Sequence, residues 1–167
     1  TFLRLARKYE GRLRFAFKPH PILKTKLYAP ESWGRERTDQ YYREWADMPH
    51  AELAEGAYVD LFCRSSALVH DCSAFTVEYQ IVGRPALFLR KNGRLPHGLN
   101  RAAQEAFALH DMADSAEDID SFLQKIAERR PDPVADRRRA FIRDYLLPPR
   151  GATASEVIID TLLTSRS

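Results

Sequence analysis

The chain has 167 residues, a length that fits one domain and is sufficient to bury a sizeable core. Hydrophobic residues make up 44% of it and charged residues 29%, which excludes a disordered chain and indicates a soluble globular protein. Its 26 Lys and Arg against 23 Asp and Glu give a net charge of +3. That excess is too small to indicate a nucleic-acid partner.

The chain has two cysteines, Cys63 and Cys72. This number excludes a disulfide scaffold and a four-cysteine zinc site, and it favours a reducing compartment. The sequence shows no apolar run long enough to span a bilayer and no signal peptide. It opens with Thr1 inside a helical pattern, so we expect a piece of a longer protein.

The hydrophobic spacing predicts helices alternating with a few short strands. Gly11 and Gly83 are expected to end two of the helices, and Ser115 is expected to begin another as its N-cap. The predicted strands cover residues 13–17, 67–71 and 85–89. The predicted helices cover residues 2–9, about 35–46, a short stretch within 58–66, 73–83, 97–109, 114–129 and 132–147, and a last helix after the Pro/Gly break at 148–151.

Short apolar strands alternating with helices predict an α/β fold, a Rossmann-like parallel sheet with helices on both faces, as one domain over residues 1–167. Ligands of such sheets bind outside the carboxyl ends of the strands. Two polar motifs follow predicted strands directly: "KPHP" at residues 18–21 and "HDCS" at residues 70–73. Both are therefore candidate parts of a binding site.

The segment "VHDCSAF" joins a strand to a helix. The free N–H groups of such a helix start suit a phosphate or diphosphate, with the Ser73 hydroxyl beside them and the small Ala74 allowing close approach. Alternatively, Asp71 or Ser73 only caps the helix. His70 and Cys72 also allow a thiol–imidazole pair, although a small buried Cys72 is the more ordinary interpretation.

In "FKPHP", two prolines restrict the backbone of His20 directly after a strand. Its imidazole is a candidate proton acceptor, or when charged a stabiliser of a leaving phosphate, and Lys18 adds positive charge. A histidine in a rigid surface turn is the alternative. Near the end of the chain, Thr153 and Ser155 offer hydroxyls at a helix start, or plain capping.

Two further patterns carry no function at this stage. The basic run at residues 137–139 predicts a solvated helix face. The remaining histidines, His50, His97 and His110, have no metal-ligand spacing, and we expect no metal site.

Together, the ordered motifs resemble the CDP-glycerol glycerophosphotransferase family, the teichoic-acid and capsule polymerases. Members show a basic-x-His-Pro turn, a strand with Thr-Asp-Tyr-Ser-Ser and an aromatic–acidic pair, a basic-Pro apolar strand, and a Gly-Lys-Ala-Ser-Glu helix. The corresponding stretches here are residues 18–21, 71–75, 78–79, 84–85 and 151–156. The resemblance covers residues 13–164, and its specificity lies in the order and spacing of the motifs.

The resemblance implies the C-terminal, donor-binding half of a GT-B fold. The implied reaction transfers glycerol phosphate, or a related polyol phosphate, from a nucleotide-activated donor such as CDP-glycerol to a cell-surface polymer acceptor, releasing CMP. No cofactor is required. His20 is the implied catalytic residue, and the implied donor-binding residues are Lys18, His70, Asp71, Ser73, Ala74, Phe75, Glu78, Thr153 and Ser155.

The resemblance also implies a missing N-terminal half, which would carry a second histidine and meet a lipid-linked acceptor. Trp33 and Gly34 lack the histidine of its Trp-His-Gly-Thr motif, so we expect the isolated chain to be inactive. The implied location is cytoplasmic, with peripheral attachment to the inner membrane face left open.

His70, Cys72 and Ala74 depart from the family pattern, and "GATAS" is one residue longer. These departures leave the donor open. The alternatives are a GT-B glycosyltransferase or sugar-nucleotide epimerase half that uses a UDP- or CMP-sugar, and a non-enzymatic Rossmann-like binding module. The helix start would serve each of them, since it recognises phosphate and not the base.

Overall fold

The computed structural model describes residues 1–148 and 151–164 as a mixed α/β structure. The strands in the described residues are β1 (Phe15–Phe17), β2 (Ala51–Leu53), β3 (Leu68–His70), β4 (Ala86–Leu89) and β5 (Asp111–Ala113). The α-helices in the same residues are α1 (Phe2–Lys8), α2 (Leu23–Leu27), α3 (Arg35–Ala46), α4 (Val59–Arg64), α5 (Ser73–Glu78), α6 (Arg101–Phe107), α7 (Ala116–Ala127), α8 (Ala135–Phe141) and α9 (Ala154–Thr164). A π-helix, Ile142–Leu146, continues α8.

The strands form two small parallel sheets, which confirms the predicted parallel pairing but not the single sheet expected from the sequence. β1 pairs with β2, and β3, β4 and β5 form the other sheet with β4 in the centre. Leu87 of β4 pairs with Val69 on one side and with Asp111 on the other. Because the three strands run in the same direction, the loops that follow β3, β4 and β5 leave the same edge of the sheet.

Helices cover both faces of the three-stranded sheet, as predicted. On one face, Leu87 belongs to a buried cluster with Leu5 of α1 and Phe122 of α7. On the other face, Phe88 meets Phe107 of α6 edge to face, with ring centroids 4.8 Å apart. Adjacent residues of a strand point to opposite faces, so one apolar run supplies both cores.

The two sheets share part of this core. Phe15 of β1 packs against the cluster that contains Leu87. Two residues later, Phe17 stacks on Trp45 of α3 with ring centroids 5.2 Å apart. The alternation of aromatic residues in β1 therefore joins α3 and the small sheet to the main core.

Several local predictions are confirmed. The helix predicted over about residues 35–46 is α3. Ser115 caps α7 in a capping box with Asp118, whose carboxylate accepts from the Ser115 backbone N–H. Gly83 has φ +66°, the left-handed conformation that ends the helical segment begun by α5. That segment changes from α-helix to a 3-10 helix at Tyr79–Val82.

The sequence interpretation missed β2, β5 and α2, which have three, three and five residues. Such short elements contain too few residues for a periodic pattern. The predicted strand over residues 13–17 is present only as Phe15–Phe17, and the first helix ends at Lys8, before Gly11.

The predicted solvated face at residues 137–139 is wrong for one residue. Arg138 is 1% exposed, whereas Arg137 and Arg139 are exposed. Its guanidinium forms an ion pair with Asp132 at 3.1 Å and donates to the Leu109 carbonyl at 2.9 Å. Burial is possible because each of these contacts replaces water around the charge.

The last helix, α9, buries none of its residues. It follows the predicted Pro/Gly break at residues 148–151, of which positions 149 and 150 lie outside the described residues. None of the described helices combines the length and the apolarity needed to cross a bilayer.

Candidate functional site

The turn after β3 presents its polar groups at the carboxyl edge of the sheet. β3 ends at His70 and α5 begins at Ser73, so two residues connect them. The N-cap of α5 is Cys72, whose side chain makes no capping hydrogen bond. Capping by Asp71 or Ser73, the alternative considered from sequence, is therefore not the arrangement found. Asp71, Ser73 and Ala74 are exposed.

His70 is turned inward from this edge. It is 7% exposed, and its Nδ1 lies 3.0 Å from the backbone oxygen of Cys72. The ring meets Phe88 edge to face at 5.3 Å between centroids. His70 therefore contacts the carbonyl oxygen of Cys72. No hydrogen bond between its ring and the Cys72 thiol supports the thiol–imidazole alternative.

A second, half-buried histidine contacts His70. His110, between α6 and β5, has its Nε2 3.1 Å from the Nε2 of His70. Its Nδ1 lies 2.9 Å from the carbonyl oxygen of Ala106 and 3.5 Å from the side-chain nitrogen of Gln80. This pairing was not predicted, because the two histidines are 40 residues apart in the sequence.

Burial keeps both imidazoles neutral at physiological pH. Loss of water around the ring lowers the pKa of His70 to about 4, against the opposing effects of the Cys72 carbonyl and the Asp71 carboxylate. The same cause lowers the pKa of His110 to about 4, against the opposing effect of the Ala106 carbonyl and helped by His70 and by the Arg138 guanidinium.

Gln80 connects this pair to Arg138. The Arg138 Nη1 donates to the Gln80 side-chain oxygen, and the Gln80 side-chain nitrogen donates to the Thr76 carbonyl at 3.1 Å. These two bonds fix which end of the amide faces His110. A continuous polar chain thus runs from Asp132 through Arg138, Gln80 and His110 to His70 and the β3 turn.

The other predicted catalytic segment follows β1. His20 is exposed, and its Nδ1 accepts a hydrogen bond from the Ile22 N–H at 3.3 Å. Lys18 is half-buried and Pro19 is buried. β1 belongs to the small sheet and β3 to the larger one, so "KPHP" and "HDCS" follow strands of different sheets.

Two predicted donor-binding residues on α5 have partners within the protein. Phe75 packs in a triangle with Tyr58 and Phe62, with 5.0 Å between each pair of ring centroids. Glu78, at the far end of α5, accepts a hydrogen bond from the Tyr58 hydroxyl at 2.8 Å. These contacts attach α4 to α5.

The capping role expected of Thr153 and Ser155 is found at Thr153. The Glu156 carboxylate accepts from the Thr153 N–H at 2.7 Å, and the Thr153 hydroxyl accepts from the Glu156 N–H at 3.3 Å. This reciprocal arrangement is a capping box. Ser155 is exposed. Thr153 is therefore engaged in its own helix, which matches the capping alternative.

Sequence reasoning missed a basic hairpin after β4, at the same edge as the β3 turn. Lys91 and Arg94 face each other in an antiparallel bridge, closed by Asn92 and Gly93 at φ +54° and +69°. Asn-Gly is the usual sequence of such a tight turn, so the signal was present. Like charges opposite each other destabilise a bridge, and an anion near both side chains would offset the repulsion.

Within residues 1–148 and 151–164, no group of three or more His, Cys, Asp and Glu side chains could hold a metal ion. No protein-family model matches the chain, and neither a curated protein nor a solved structure matches it.

Proposed function

We propose that this chain is the donor-binding half of an enzyme like the CDP-glycerol glycerophosphotransferases, with a Rossmann-like architecture that forms one half of a GT-B fold. The ligand is a nucleotide-activated polyol phosphate, and its diphosphate lies against the turn between β3 and α5. The observation that carries this proposal is that turn: an N-cap without a side-chain cap, followed by exposed Ser73 and Ala74. Unbonded N–H groups at a helix start favour anions.

Charge at the ends of neighbouring strands supports an anionic ligand. Lys91 and Arg94 follow β4, which pairs directly with β3, whereas Lys18 follows β1 of the other sheet. Asp71, by contrast, is acidic. Its carboxylate can accept hydrogen bonds from the hydroxyl groups of a polyol or a ribose. Among phosphate-bearing donors, CDP-glycerol is proposed because "KPHP", "HDCS" and "GATASE" resemble motifs of the family.

In the proposed reaction, an acceptor hydroxyl attacks the glycerol-bearing phosphorus, the bond to the CMP oxygen breaks, and CMP leaves. Positioning and charge stabilisation supply most of the catalysis in such transfers. His20 is the proposed catalytic residue. Its exposure leaves the ring accessible to a donor and to a partner half. The acceptor is proposed to be lipid-linked, with the protein attached peripherally to the inner membrane face.

Calorimetric titration of the chain with CDP-glycerol, a UDP-sugar and a CMP-sugar tests the proposal. We expect weak binding of CDP-glycerol and no turnover by this half alone. Binding of only a UDP- or CMP-sugar would instead favour the glycosyltransferase or epimerase alternative. Absence of binding by all three would favour a non-enzymatic module.

A matched pair of variants locates the ligand. Ser73→Asp sets a negative charge against the diphosphate and is expected to abolish binding of CDP-glycerol. Ser66→Asp adds the same charge at an exposed position before β3, at the opposite edge of the sheet, and should leave the affinity unchanged. Equal affinities of the two variants would reject the proposed placement.

His20→Ala tests the catalytic assignment in the full-length protein. We expect turnover to fall by about two orders of magnitude or more, the usual contribution of a positioned acid or base. Binding of CDP-glycerol should change little. Near-normal turnover would exclude His20 from the reaction.

A further inference from the structure

The chain from the end of β1 through α2 into the first turn of α3, residues 18–37, has an excess of positive charge, and we call it the basic segment. It carries five Lys and Arg against two Glu, an excess of three that equals the net charge of the whole chain. Lys24 pairs with Asp39 at 3.7 Å. The other four cations make no ion pair with any described residue: Lys18, Lys26, Arg35 and Arg37.

α2 presents an apolar and a basic side chain next to each other in water. Ile22 is 49% exposed, and the Lys26 N–H donates to its carbonyl oxygen at 3.0 Å, so Lys26 lies one helical turn later. Residues four apart share a face of a helix. Leu23 and Leu27 are half-buried, whereas Lys26 is exposed. About half of Ile22 therefore remains in water beside the Lys26 ammonium group.

Two exposed arginines in the first turn of α3 bring further charge next to α2. The Arg35 guanidinium lies 4.5 Å from the ring centroid of Tyr28. The Arg37 guanidinium lies 4.6 Å from the ring of Trp33, whose N–H donates to the Leu27 carbonyl at 3.2 Å and so folds the loop back on α2. An aromatic ring attracts a cation without neutralising it, so both charges stay available to an external anion.

This combination of side chains fits the surface of a bilayer that contains anionic lipids. Headgroup phosphates attract exposed Lys and Arg side chains. An apolar side chain beside them enters the boundary between headgroups and acyl chains, and Trp and Tyr favour the same interface. A small phosphate ligand would use only the cations, and a nucleic acid would leave Ile22 in water. A lipid surface uses both.

We propose that the basic segment docks on an anionic lipid bilayer, with Ile22 inserted and the unpaired Lys and Arg side chains on headgroup phosphates. The Nδ1 of His20 accepts from the Ile22 N–H at 3.3 Å, so docking holds His20 at the membrane surface. The docking itself requires no donor contact and is tested without a donor. Only its meaning for His20 and a lipid-linked acceptor rests on the proposed function.

Co-sedimentation of the full chain with lipid vesicles tests the docking. We expect binding to vesicles of equal parts phosphatidylglycerol and phosphatidylcholine, and little binding to phosphatidylcholine alone. Binding should weaken at high salt, because salt screens the attraction between exposed charges and headgroups. Equal binding to the two kinds of vesicle, or binding to neither, would overturn the proposal. So would binding of soluble polyphosphate by a chain that ignores both vesicles.

Charge variants with a matched control locate the docking surface. Lys26→Gln and Arg37→Gln should each weaken binding to the phosphatidylglycerol vesicles about fivefold, the usual contribution of one basic side chain near an anionic membrane. Arg137→Gln removes the same charge from an exposed position of α8 and should leave binding unchanged. Equal losses in all three variants would indicate attraction by net charge alone and would contradict the assigned surface.

Ile22→Ser tests insertion. It should weaken vesicle binding about fivefold, because the apolar area of Ile22 no longer leaves water on docking. Val59→Ser changes an apolar residue that is 60% exposed at the start of α4, and it should bind as the wild-type protein does. Unchanged binding by Ile22→Ser would exclude Ile22 as the inserted residue.

Tryptophan fluorescence reports the docked segment without any change of charge. The chain has two tryptophans, of which Trp45 is 3% exposed and Trp33 is half-buried within the basic segment. Vesicles of brominated phosphatidylglycerol should quench the wild-type fluorescence, and Trp33→Phe should abolish this quenching. Binding to the vesicles without quenching in the wild-type protein would place the contact elsewhere and reject the basic segment.

The outcomes separate this inference from the proposed function. If the chain binds the phosphatidylglycerol vesicles through the basic segment but binds no CDP-glycerol, the proposed donor fails and the docking surface stands. If it binds CDP-glycerol but no vesicles, the docking surface fails and the donor-binding role stands.

Discussion

Arg138 of α8 donates a hydrogen bond to the side-chain oxygen of Gln80, and both residues are almost completely buried. They are 58 residues apart in the sequence. The contact joins α8 to the helical segment after α5, and it orients the amide that faces His110. Arg138, which the sequence predicts to lie on a solvated helix face, therefore holds together the buried polar contacts beside the candidate site.

Arg138→Met should lower the free energy of unfolding by about 3 kcal/mol, because it leaves Asp132 and the Gln80 oxygen without their buried donor. Arg139→Met removes the exposed neighbouring arginine, which forms an ion pair with Asp136. This change should alter the free energy of unfolding by about 0.5 kcal/mol or less. Urea denaturation of the two variants measures the difference. A loss of similar size in both would show that the buried network contributes little.

Stability should fall as the pH decreases from about 6.5 to 4, because the pKa of His70 and of His110 in the folded protein is about 4. The unfolded chain binds protons in this window while the folded protein does not, so protonation favours unfolding. Above the pKa of histidine in the unfolded chain, about 6.5, both states are unprotonated and this loss of stability is absent. Urea midpoints measured across this range should follow that curve.

His110→Gln removes one of the two titrating groups and should make the pH dependence shallower. His97→Gln, at an exposed position, is the control and should leave the slope unchanged. Asp118 and Asp120 have pKa values lowered by their hydrogen bonds, so the acid sensitivity that they add falls mainly at the lower end of this window and below it. An unchanged slope in His110→Gln would exclude His110 as a source of the dependence.

Ser115→Ala should lower the free energy of unfolding by about 1 kcal/mol, because it removes the acceptor for the Asp118 N–H at the start of α7. α7 supplies Ile119, Phe122 and Leu123 to the main core, so loss at its first turn should affect global stability. Ser121→Ala changes an exposed serine within the same helix and serves as the control in thermal denaturation. Equal melting temperatures would argue that the cap is dispensable.

Lys91→Gln and Arg94→Gln should each weaken binding of pyrophosphate by about tenfold, the size of one lost charge-assisted hydrogen bond. The effect should diminish at high salt because exposed charges are screened. Arg130→Gln is the matched control, since it removes the same charge after α7, the helix that returns from β5 to the opposite edge. If all three variants bind alike, the hairpin lies outside the site.

The sequence by itself determined the elements whose signals are local. The twelve residues of α3, the capping box at Ser115 and the left-handed Gly83 follow from periodicity, side-chain capping and the freedom of glycine at positive φ. The apolar runs of β3 and β4 were also sufficient to indicate a parallel sheet covered on both faces.

Only the tertiary structure decided which polar groups meet. His70 and His110 come from positions 40 residues apart, and Arg138 lies beside arginines that remain in water. The strands β2 and β5, each of three residues, exist because neighbouring strands offer them hydrogen bonds, not because of their own pattern. Burial, hydrogen-bond direction and pairing depend on distant partners, and a linear sequence carries no local signal for them.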